Sequence, residues 1–479
     1  MPAPPLPLHC AAIDLGATSG RVMVGTWHGN ELSTTEVHRF PNALRSVNGH
    51  DYWDVAGLWN EVQTGLALAA ASLPSGASLA SVGVDTWGVD HVLVDDAGRM
   101  VFPTHAYRDA RTQPGLQALL DSPADLGRIY AATGIPAVFY NSSLQLAETV
   151  ASCPAIKKLA TRCLFLPDYF NYLLSGRMAH GLSIASTTQL LDVGSNDWSK
   201  TALKHFGVPP RWLGSPIKSG TKLGRVRGMP DLGKTTVVAV PGHDTTCAYD
   251  AMPAAPDGDD IFLSSGTWSL VGFESTQPLL GEEALATRVA NDRTGRGEYR
   301  PLVNVIGLWL LEGTLKAFDS RPANDRSWKA LLKNAAALPA PARLLDVTDP
   351  AFANPPSMKA AIDAQLRRHR TKPPQELVEY VRLICDSLGQ GHADVIRRFE
   401  HLANRTFKRI LMVGGGSKNA LLCQATANAS GLPVLSFNLE GSAVGNFANQ
   451  LIALKAVKNL ATFRAALATQ LKPKIYQPR

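Results

Sequence analysis

The sequence predicts an α/β protein of two domains, and three observations support this prediction. The chain has 479 residues, whereas a single hydrophobic core stops growing at roughly 250 to 300 residues. Runs of β-branched apolar residues alternate with stretches whose apolar residues recur at helical spacing. Similar glycine-rich segments occur in each half, at 12–25 (AIDLGATSGRVMVG) and 262–272 (FLSSGTWSLVG). A Pro-rich, acidic connection at 252–260 places the boundary near residue 250, with domains at 1–249 and 250–479.

Both glycine-rich segments are predicted to be β-hairpins with a small-residue tip. Each consists of an apolar stretch, a turn rich in Gly, Ser and Thr, and a second apolar stretch, so that backbone N–H groups and hydroxyls at the tip can approach phosphate oxygens. One such hairpin alone could be merely a tight turn between strands. Because one occurs in each half, the pair suggests two similar halves that close on one nucleotide, with the phosphates of ATP between them.

Two other phosphate-binding motifs are disfavoured. No G-x-x-x-x-G-K-[ST] string occurs, which excludes the usual P-loop. A dinucleotide fingerprint needs a helix after its glycines, whereas 21–24 (RVMV) is β-branched and strand-like.

Composition narrows the class of protein further. Hydrophobic residues make up 45% and charged residues 18%, as in an ordinary globular protein. The net charge of +7 does not indicate nucleic acid as a partner, because Lys and Arg never form a run of five, but it suits an enzyme that handles anionic nucleotides. Six cysteines without a C-x-x-C pair indicate neither a zinc site nor a disulfide framework. No signal peptide or apolar span is recognised, so we expect a cytoplasmic protein that does not associate with membranes.

The elements of the first half follow from their patterns. In order, they are a helix at 55–71, a hairpin within 81–104 around the turn at 95–98, a mixed and mostly helical region at 114–203, and a strand at 236–240 that leads into GHDTTCA at 242–248.

The second half is predicted in the same way. After the hairpin at 262–272 come a strand-to-helix segment at 303–318, a basic, Pro-rich surface region at 338–374, a long helix at 376–403, a strand at 409–413 followed by GGGSKN, a strand at 434–437 and a helix at 442–457. A buried strand that meets three glycines and a helix is typical of the ligand-binding edge of an α/β sheet.

The segment GHDTTCA is the candidate for the chemistry. A strand delivers His243 and Asp244 to the mouth of a cleft, and the small residues that follow can start a helix. From spacing alone, the favoured role of Asp244 is the N-cap of that helix. The alternative is a general base that takes the proton of a substrate hydroxyl while the hydroxyl attacks the γ-phosphorus of ATP.

Taken together, these motifs resemble the FGGY family of carbohydrate kinases, and within it the rhamnulokinase subfamily. The similar stretches, in order along nearly the whole chain, are IDLGATSGRVMVG, HRFPN, VGVDTWGVDHVLVD, AYRDARTQ, LPDYF, TTQLLD, GHDTT, LSSGTWSLVGFE, NVIGLWLLE and VGGGSKN. The resemblance implies two ribonuclease-H-like domains of the actin-like ATPase type with an interdomain cleft. It further implies ATP and Mg²⁺ as cofactors, a monomer or homodimer, and transfer of the γ-phosphate to the 1-hydroxyl of L-rhamnulose. Another ketose, such as L-fuculose or a pentulose, and a non-catalytic actin-like sugar sensor are the alternatives.

The resemblance also implies a role for individual residues. Asp244 would be the proton acceptor, and Asp14 would face Mg²⁺ or its waters. The residues assigned to the nucleotide are Ala17, Thr18, Ser19, Gly20, Arg21, Thr267 and Gly415. The residues assigned to the sugar are Gly88, His243, Asp244, Thr245 and Asn304.

Several of these residues have a purely structural alternative. Asp14 could cap a turn, and His243 could be a buried histidine with satisfied hydrogen bonds. Trp87 fits the core as well as a sugar-stacking surface, and Trp268 is assigned to the core. Gly415 could be needed only for packing between strand and helix.

The chain departs from the family pattern at two places. Glu312 stands where family members often have a Gln associated with the nucleotide, so its role is left open. The segment 181–184 (GLSI) replaces an E-Y-T-N-like string on the side expected to bind sugar. This segment therefore lacks an acidic and an amide side chain that family members often have. Their loss could change which sugar hydroxyls are recognised, because a site that hydrogen-bonds a buried hydroxyl discriminates strongly against substrates without it.

Overall fold

A computed structural model of the chain describes residues 6–479, which form two compact α/β units. The first unit contains the chain up to Met252 together with Ser275–Pro301 and Glu440–Gln470. The second unit contains Pro253–Glu274, Leu302–Leu439 and Leu471–Arg479. Two segments from the C-terminal half thus complete the first unit, while a division into domains at residue 250 stays a prediction.

The β-strands of the described residues are numbered in chain order. They are β1 (Leu8–Leu15), β2 (Ser19–His28), β3 (Glu31–Pro41), β4 (Leu44–Val47), β5 (His50–Trp53), β6 (Leu79–Thr86), β7 (His91–Val94), β8 (Arg162–Phe165), β9 (His180–Gly181), β10 (Pro216–Ile217), β11 (Lys222–Arg225), β12 (Thr236–Val238), β13 (Asp260–Ser265), β14 (Trp268–Gly272), β15 (Ala290–Arg293), β16 (Tyr299–Ile306), β17 (Arg409–Val413), β18 (Val434–Ser436) and β19 (Lys474–Tyr476).

The α-helices are numbered likewise. They are α1 (Val55–Ala71), α2 (Gln113–Leu120), α3 (Pro123–Thr133), α4 (Ser142–Ser152), α5 (Ile156–Leu159), α6 (Leu166–Ser175), α7 (Leu182–Ser186), α8 (Lys200–Phe206), α9 (Asp244–Asp250), α10 (Glu282–Ala286), α11 (Trp309–Ala317), α12 (Asp325–Ala337), α13 (Met358–Arg368), α14 (Leu377–Ala403), α15 (Ala420–Ser430), α16 (Gly441–Ala453) and α17 (Leu460–Gln470). Short 3₁₀ helices occur at Ala110–Thr112, Pro210–Trp212, Pro230–Leu232, Pro350–Phe352 and Gly415–Lys418.

The central sheet of the first unit has the strand order β11-β12-β6-β1-β2-β3. Strand β1 is parallel to β6 and antiparallel to β2. Helices cover the two faces of β2, because Val22 packs against Gly65 of α1 whereas Gly25, three residues along the strand, packs against Phe447 of α16. Side chains at odd separations along a strand point to opposite faces, so the sheet lies between these two helices.

The second unit contains a sheet in the order β16-β14-β13-β17-β18-β19, in which β13, β17 and β18 are parallel. Helices α14 and α15 approach closely beside it: a side chain at Gly389 would come within 2.6 Å of the backbone of Ala425. The absence of a side chain at that position permits the close crossing of the two helices.

Most predicted elements are confirmed. The helix at 55–71 and the strand at 409–413 have the predicted bounds, and both glycine-rich segments form antiparallel hairpins, β1 with β2 and β13 with β14. The hairpin predicted within 81–104 is confirmed at its turn, where an antiparallel bridge joins Val94 to Met100, but it is short. The ladder partner of strand β7 is β8, which was not predicted. Strand β8 is distant in sequence, and local patterns do not reveal it.

Within residues 6–479, no helix combines the length and apolar character that crossing a bilayer requires.

Candidate active site

Three carboxylates of the first unit lie at one edge of its central sheet. Asp14 is the penultimate residue of β1, and its partner in the parallel register is Asp85 of β6. The next residue of β6, Thr86, forms a β-bridge with His243, directly before Asp244. Carboxyl ends of parallel strands meet at one edge, where α/β sheets bind their ligands. The fold therefore brings together the predicted Asp14 and Asp244, and adds Asp85.

Asp14 forms a buried ion pair with Arg21. Its side chain is 6% exposed, and its Oδ2 accepts hydrogen bonds from Nε of Arg21 at 2.9 Å and from Nη2 at 2.7 Å. Nη1 of Arg21 donates to Glu440, whose side chain is 57% exposed. Burial raises the pKa of Asp14, Arg21 opposes that rise, and the nearby charges of Asp244 and Glu440 add to it. Asp14 therefore pairs with a side chain of the neighbouring strand β2, and the alternative that it caps a turn does not explain these contacts.

Asp85 was missed by the sequence reasoning. It is fully buried, its Oδ2 accepts a hydrogen bond of 2.6 Å from Nδ2 of Asn446 on α16, and its Oδ1 has no hydrogen-bond partner within the described part of the chain. Burial, followed by the nearby charge of Asp14, raises its pKa well above the usual value. The available signal was that VGVD, like AAID, is an apolar run ending in Asp at the carboxyl end of a strand.

The predicted first phosphate loop is the turn between β1 and β2. N–H of Gly16 donates to the carbonyl of Ser19 at 3.0 Å, which closes the turn. Asn42 fixes it from outside, since its backbone N–H donates to the carbonyl of Thr18 and its Nδ2 to the carbonyl of Gly16, each at 3.0 Å. Ala17 is partly exposed and Thr18 exposed. A rigid loop with an accessible tip suits contact with phosphate oxygens.

Asp244 is the first residue of α9, and the N-cap position belongs to His243. Oδ1 of Asp244 accepts hydrogen bonds from N–H of Thr245 at 2.5 Å and from its Oγ1 at 3.1 Å. The N-cap interpretation of Asp244 is therefore wrong: its side chain bonds to the adjacent residue and not to N–H groups further along the helix. With 31% of its side chain exposed, this carboxylate is accessible to a substrate hydroxyl.

His243 lies between two carboxylates. Its Nε2 is 3.6 Å from Oδ1 of Asp244, and its Nδ1 is 3.5 Å from Oδ2 of Asp292. Burial acts to lower the pKa of His243, but Asp292 and Asp244 outweigh burial, and the pKa is raised. A side chain at Gly88 would lie 3.5 Å from the His243 ring and from Oγ1 of Thr187. His243, Asp244 and Gly88, all predicted to contact the sugar, are thus neighbours.

The predicted second phosphate loop is the tip between β13 and β14. The carbonyl of Thr267 accepts hydrogen bonds from N–H of Gly307 at 3.1 Å and of Trp309 at 3.2 Å. The assignment of Trp268 to the core is wrong, because 48% of this residue is exposed. Its place at the hairpin tip, where the sheet surface ends, leaves it without a layer to pack into.

The three glycines after β17 have different environments. Gly414 has a φ of +86°, and a side chain on it would lie 2.5 Å from the carbonyl oxygen of Ser265. A side chain on Gly416 would lie 2.1 Å from Oγ of Ser265, whereas the nearest described atom to a side chain on Gly415 would be in Leu308, at 3.8 Å. Packing therefore requires glycine at 414 and 416, and the packing alternative does not explain the glycine at 415.

This difference gives a matched pair of variants. Gly415→Ala is expected to leave the unfolding midpoint unchanged while raising the KM for ATP about 10-fold, which corresponds to ~1.4 kcal/mol of lost contact. Gly414→Ala is expected to lower stability by about 1–2 kcal/mol or more, because its left-handed backbone disfavours a side chain. Thermal unfolding and ATP saturation curves of both variants check this prediction. Equal effects of both variants on the KM for ATP, at unchanged stability, would contradict it.

The remaining predicted residues lie elsewhere in the fold. Asn304 is on β16 of the second unit, opposite Leu270 of β14. Glu312 is on α11, where it forms an exposed ion pair of 2.8 Å with Arg321.

The departing segment 181–184 lies close to the site in the first unit. N–H of Gly181 donates to Oδ1 of the buried Asp168 at 3.0 Å, and burial raises the pKa of that carboxyl to about 8. A side chain on Gly242, the residue before His243, would come within 3.2 Å of Cβ of Ile184. The segment also leads through α7 to Thr187 beside Gly88, so the altered residues adjoin those predicted to contact the sugar.

Comparison with known proteins identifies the family. The N-terminal domain model of the FGGY family of carbohydrate kinases matches residues 9–249, and the C-terminal domain model matches residues 261–454. The chain is 39% identical over 460 residues to the rhamnulokinase of Klebsiella pneumoniae subsp. pneumoniae, covering 95% of this chain and 92% of that protein. It is also 39% identical over 477 residues to the rhamnulokinase of Pectobacterium carotovorum, covering 98% and 93%.

The crystal structure of xylulose kinase from Rhodospirillum rubrum superposes with a TM-score of 0.79 at 19% identity, covering 98% of this chain and 94% of that one. This likeness shows the fold, which is that of the actin-like ATPases. With both family domains matched over most of its length, the chain belongs to the FGGY family of carbohydrate kinases and is an ATP-dependent sugar kinase.

Proposed function

We propose that this kinase transfers the γ-phosphate of ATP to the 1-hydroxyl of L-rhamnulose, giving L-rhamnulose 1-phosphate and ADP. The observation that carries the proposal is the sheet edge at which Asp14, Asp85 and Asp244 converge, with Asp244 accessible at the start of α9. The identity of the sugar is supported by two rhamnulokinases at 39% identity over nearly the whole chain.

In this proposal, Asp244 is the general base. The 1-oxygen of the sugar forms a bond to the γ-phosphorus, the bond from that phosphorus to the β,γ-bridging oxygen breaks, and the hydroxyl proton passes to the carboxylate of Asp244. The hydrogen bonds from Thr245 to Oδ1 of Asp244 hold the carboxylate in place. His243, held between Asp244 and Asp292, orients the base and offers a donor to a sugar oxygen.

Among the described residues, no group of three or more Asp, Glu, His or Cys side chains forms a complete metal site. A Mg²⁺ ion at this edge would therefore be bound through one or two carboxylates together with substrate phosphates, as Mg²⁺ often is. Asp14 would hold the cation directly or through water. The Oδ1 of Asp85, which has no hydrogen-bond partner among the described residues, is a second candidate oxygen. When bound, the cation would neutralise charge on the phosphate oxygens.

The nucleotide is assigned to residues of both units. Ala17, Thr18, Ser19, Gly20 and Arg21 would contact its phosphates from the first unit, and Thr267 and Gly415 would do so from the second. Two observations support these assignments. The tip of the first loop is accessible, and Gly415 has no side chain between its backbone and a bound nucleotide.

The sugar is assigned to Gly88, His243, Asp244 and Thr245 in the first unit and to Asn304 in the second. Gly88→Ala tests the first of these. The variant should fold, because its added Cβ has ordinary contact distances of 3.5 Å, but the methyl group would occupy space beside His243. We expect the KM for the sugar to rise about 10- to 200-fold, the effect of one methyl group in a fitted pocket, with the KM for ATP unchanged. A normal KM for the sugar in a folded variant would remove Gly88 from the site.

The test of the function is ADP release by the purified protein with ATP and Mg²⁺ across L-rhamnulose, L-fuculose, L-ribulose, D-xylulose and glycerol, with a control that contains no sugar. Strong selectivity for L-rhamnulose is the expected result. Selectivity for another ketose would retain the kinase mechanism and place the difference in specificity at 181–184. ADP release that is independent of sugar would overturn the proposal.

A further inference from the structure

The segment after Gly88 contains a strained residue. Val89 has a φ of +71°, although β-branched residues rarely adopt a left-handed backbone. Its carbonyl oxygen accepts hydrogen bonds from Oγ of Ser142 at 2.5 Å and from Nε2 of Gln145 at 3.4 Å, both on α4. Such a conformation persists only where the surrounding structure imposes it, and it is concentrated at functional sites.

The next residue, Asp90, is 1% exposed and joins the aromatic residues around this segment. Its Oδ2 accepts hydrogen bonds from the indole Nε1 of Trp87 at 2.8 Å and of Trp53 at 2.5 Å. The two indole rings lie with their centroids 4.3 Å apart. Trp87, for which core and sugar-stacking roles were both open, is 5% exposed and bonded to a carboxylate.

The other carboxylate oxygen of Asp90 is hydrogen-bonded to Gln145 on α4, which in turn is hydrogen-bonded to Arg111. Oδ1 accepts a hydrogen bond of 3.0 Å from Nε2 of Gln145, and Oε1 of Gln145 accepts one of 3.3 Å from Nη2 of Arg111. Nε of Arg111, whose side chain is 4% exposed, lies 3.3 Å from Oε2 of Glu148. The orientation of the Gln145 amide is thereby set, with its N–H₂ towards Asp90 and Val89 and its oxygen towards the guanidinium.

We infer that Asp90 is a positioning residue for the sugar site: by holding the indole of Trp87 before Gly88 and the amide of Gln145 behind the strained Val89, it fixes the backbone of Gly88 beside His243. This inference rests on the proposed sugar contact at Gly88. The residues on both sides of Gly88 are tied to the same carboxylate network, so relaxation of the network moves Gly88 relative to His243 and Thr187.

The experiment compares two network variants with a matched control. Trp87→Phe and Asp90→Asn each disturb the network, the first by removing an indole N–H and the second by placing an N–H₂ group against Nε2 of Gln145. Trp212→Phe is the control, because it loses an equally buried indole hydrogen bond, 2.9 Å to the carbonyl of Ala160, in another cluster of the same unit. The KM for the ketose that the wild type phosphorylates fastest, the KM for ATP and the unfolding midpoint are measured for each.

Both network variants are expected to raise the KM for the sugar about 5- to 20-fold, as for loss of a buried hydrogen bond that positions a ligand contact, and to change the KM for ATP less than about 2-fold. Trp212→Phe is expected to lower the unfolding midpoint similarly without changing the KM for the sugar.

Two results would overturn the inference in different ways. If Gly88→Ala raises the KM for the sugar but the network variants do not, the sugar site stands and the positioning role of Asp90 is wrong. If Gly88→Ala and the network variants all leave this KM unchanged while the proteins remain folded, the sugar does not bind at Gly88, and the site and the inference both fail.

Discussion

Asp244→Asn is expected to lower kcat by about 10²- to 10⁴-fold, the usual contribution of a positioned general base. An amide cannot take the proton of the attacking hydroxyl, yet it can still accept the hydrogen bonds from Thr245 that hold the side chain. The fold and the affinity for ATP should therefore change little. Initial rates of ADP release, ATP titration calorimetry and thermal unfolding, each on the purified variant, measure the three quantities.

Asp125→Asn provides the matched control for this substitution. Asp125 also lies in the first turn of a helix, α3, in the same unit, but its partners in the described part of the chain are the exposed Arg128 and the hydroxyl of Ser122. The kcat of the Asp125→Asn variant should stay within about 2-fold of the wild-type value, because exposed ion pairs contribute little to the stability of the fold. If Asp244→Asn retains the turnover of this control, Asp244 is not the base.

Asp14→Asn is the second substitution with a large expected effect. It removes the buried charge that accepts two hydrogen bonds from Arg21, and with it the proposed ligand of Mg²⁺. We expect kcat/KM for ATP with Mg²⁺ to fall about 10²-fold or more, as when one preorganised electrostatic contact is lost. Stability should fall by about 1.5–3 kcal/mol, the range for hydrogen bonds to charged groups.

Glu440→Gln separates the two partners of Arg21. Glu440 contacts the same guanidinium, but its side chain is more than half exposed, so solvent already screens the pair. Its removal should change the rate less than about 3-fold. Activity at varied Mg²⁺ and denaturant unfolding of both variants provide the comparison. Similar losses for the two substitutions would show that Arg21 needs both carboxylates and would contradict a distinct role for Asp14.

Features that depend on local pattern were predictable from the sequence. The helix at 55–71 follows from helical spacing, and the two hairpins follow from apolar stretches on either side of small-residue turns. Asp244 could be selected as a candidate because it follows an apolar run where a strand was expected to end, whereas the role of Asp14 followed from the resemblance to the family.

Features that depend on distant contacts were not predictable in this way. Asp85 gains its significance from the register with Asp14 and from Asn446, which is 361 residues away. The partner of β7 comes from β8, much later in the chain, and the pattern near residue 100 gave no sign of it. For Trp268, hydrophobicity predicted burial, but a hairpin tip offers no second layer against which the ring can pack.

The interleaving of the two units along the chain has a consequence for synthesis on the ribosome. The first unit needs Glu440–Gln470, and α16 within that segment covers one face of its sheet through Phe447. A nascent chain that ends near residue 252 would therefore carry an uncovered sheet face. At translation rates of about 5–20 residues per second, the remaining residues up to 470 take roughly 10–45 s to emerge. During that interval the exposed face is a surface for chaperones or for aggregation, and release of an isolated N-terminal fragment should give an insoluble product.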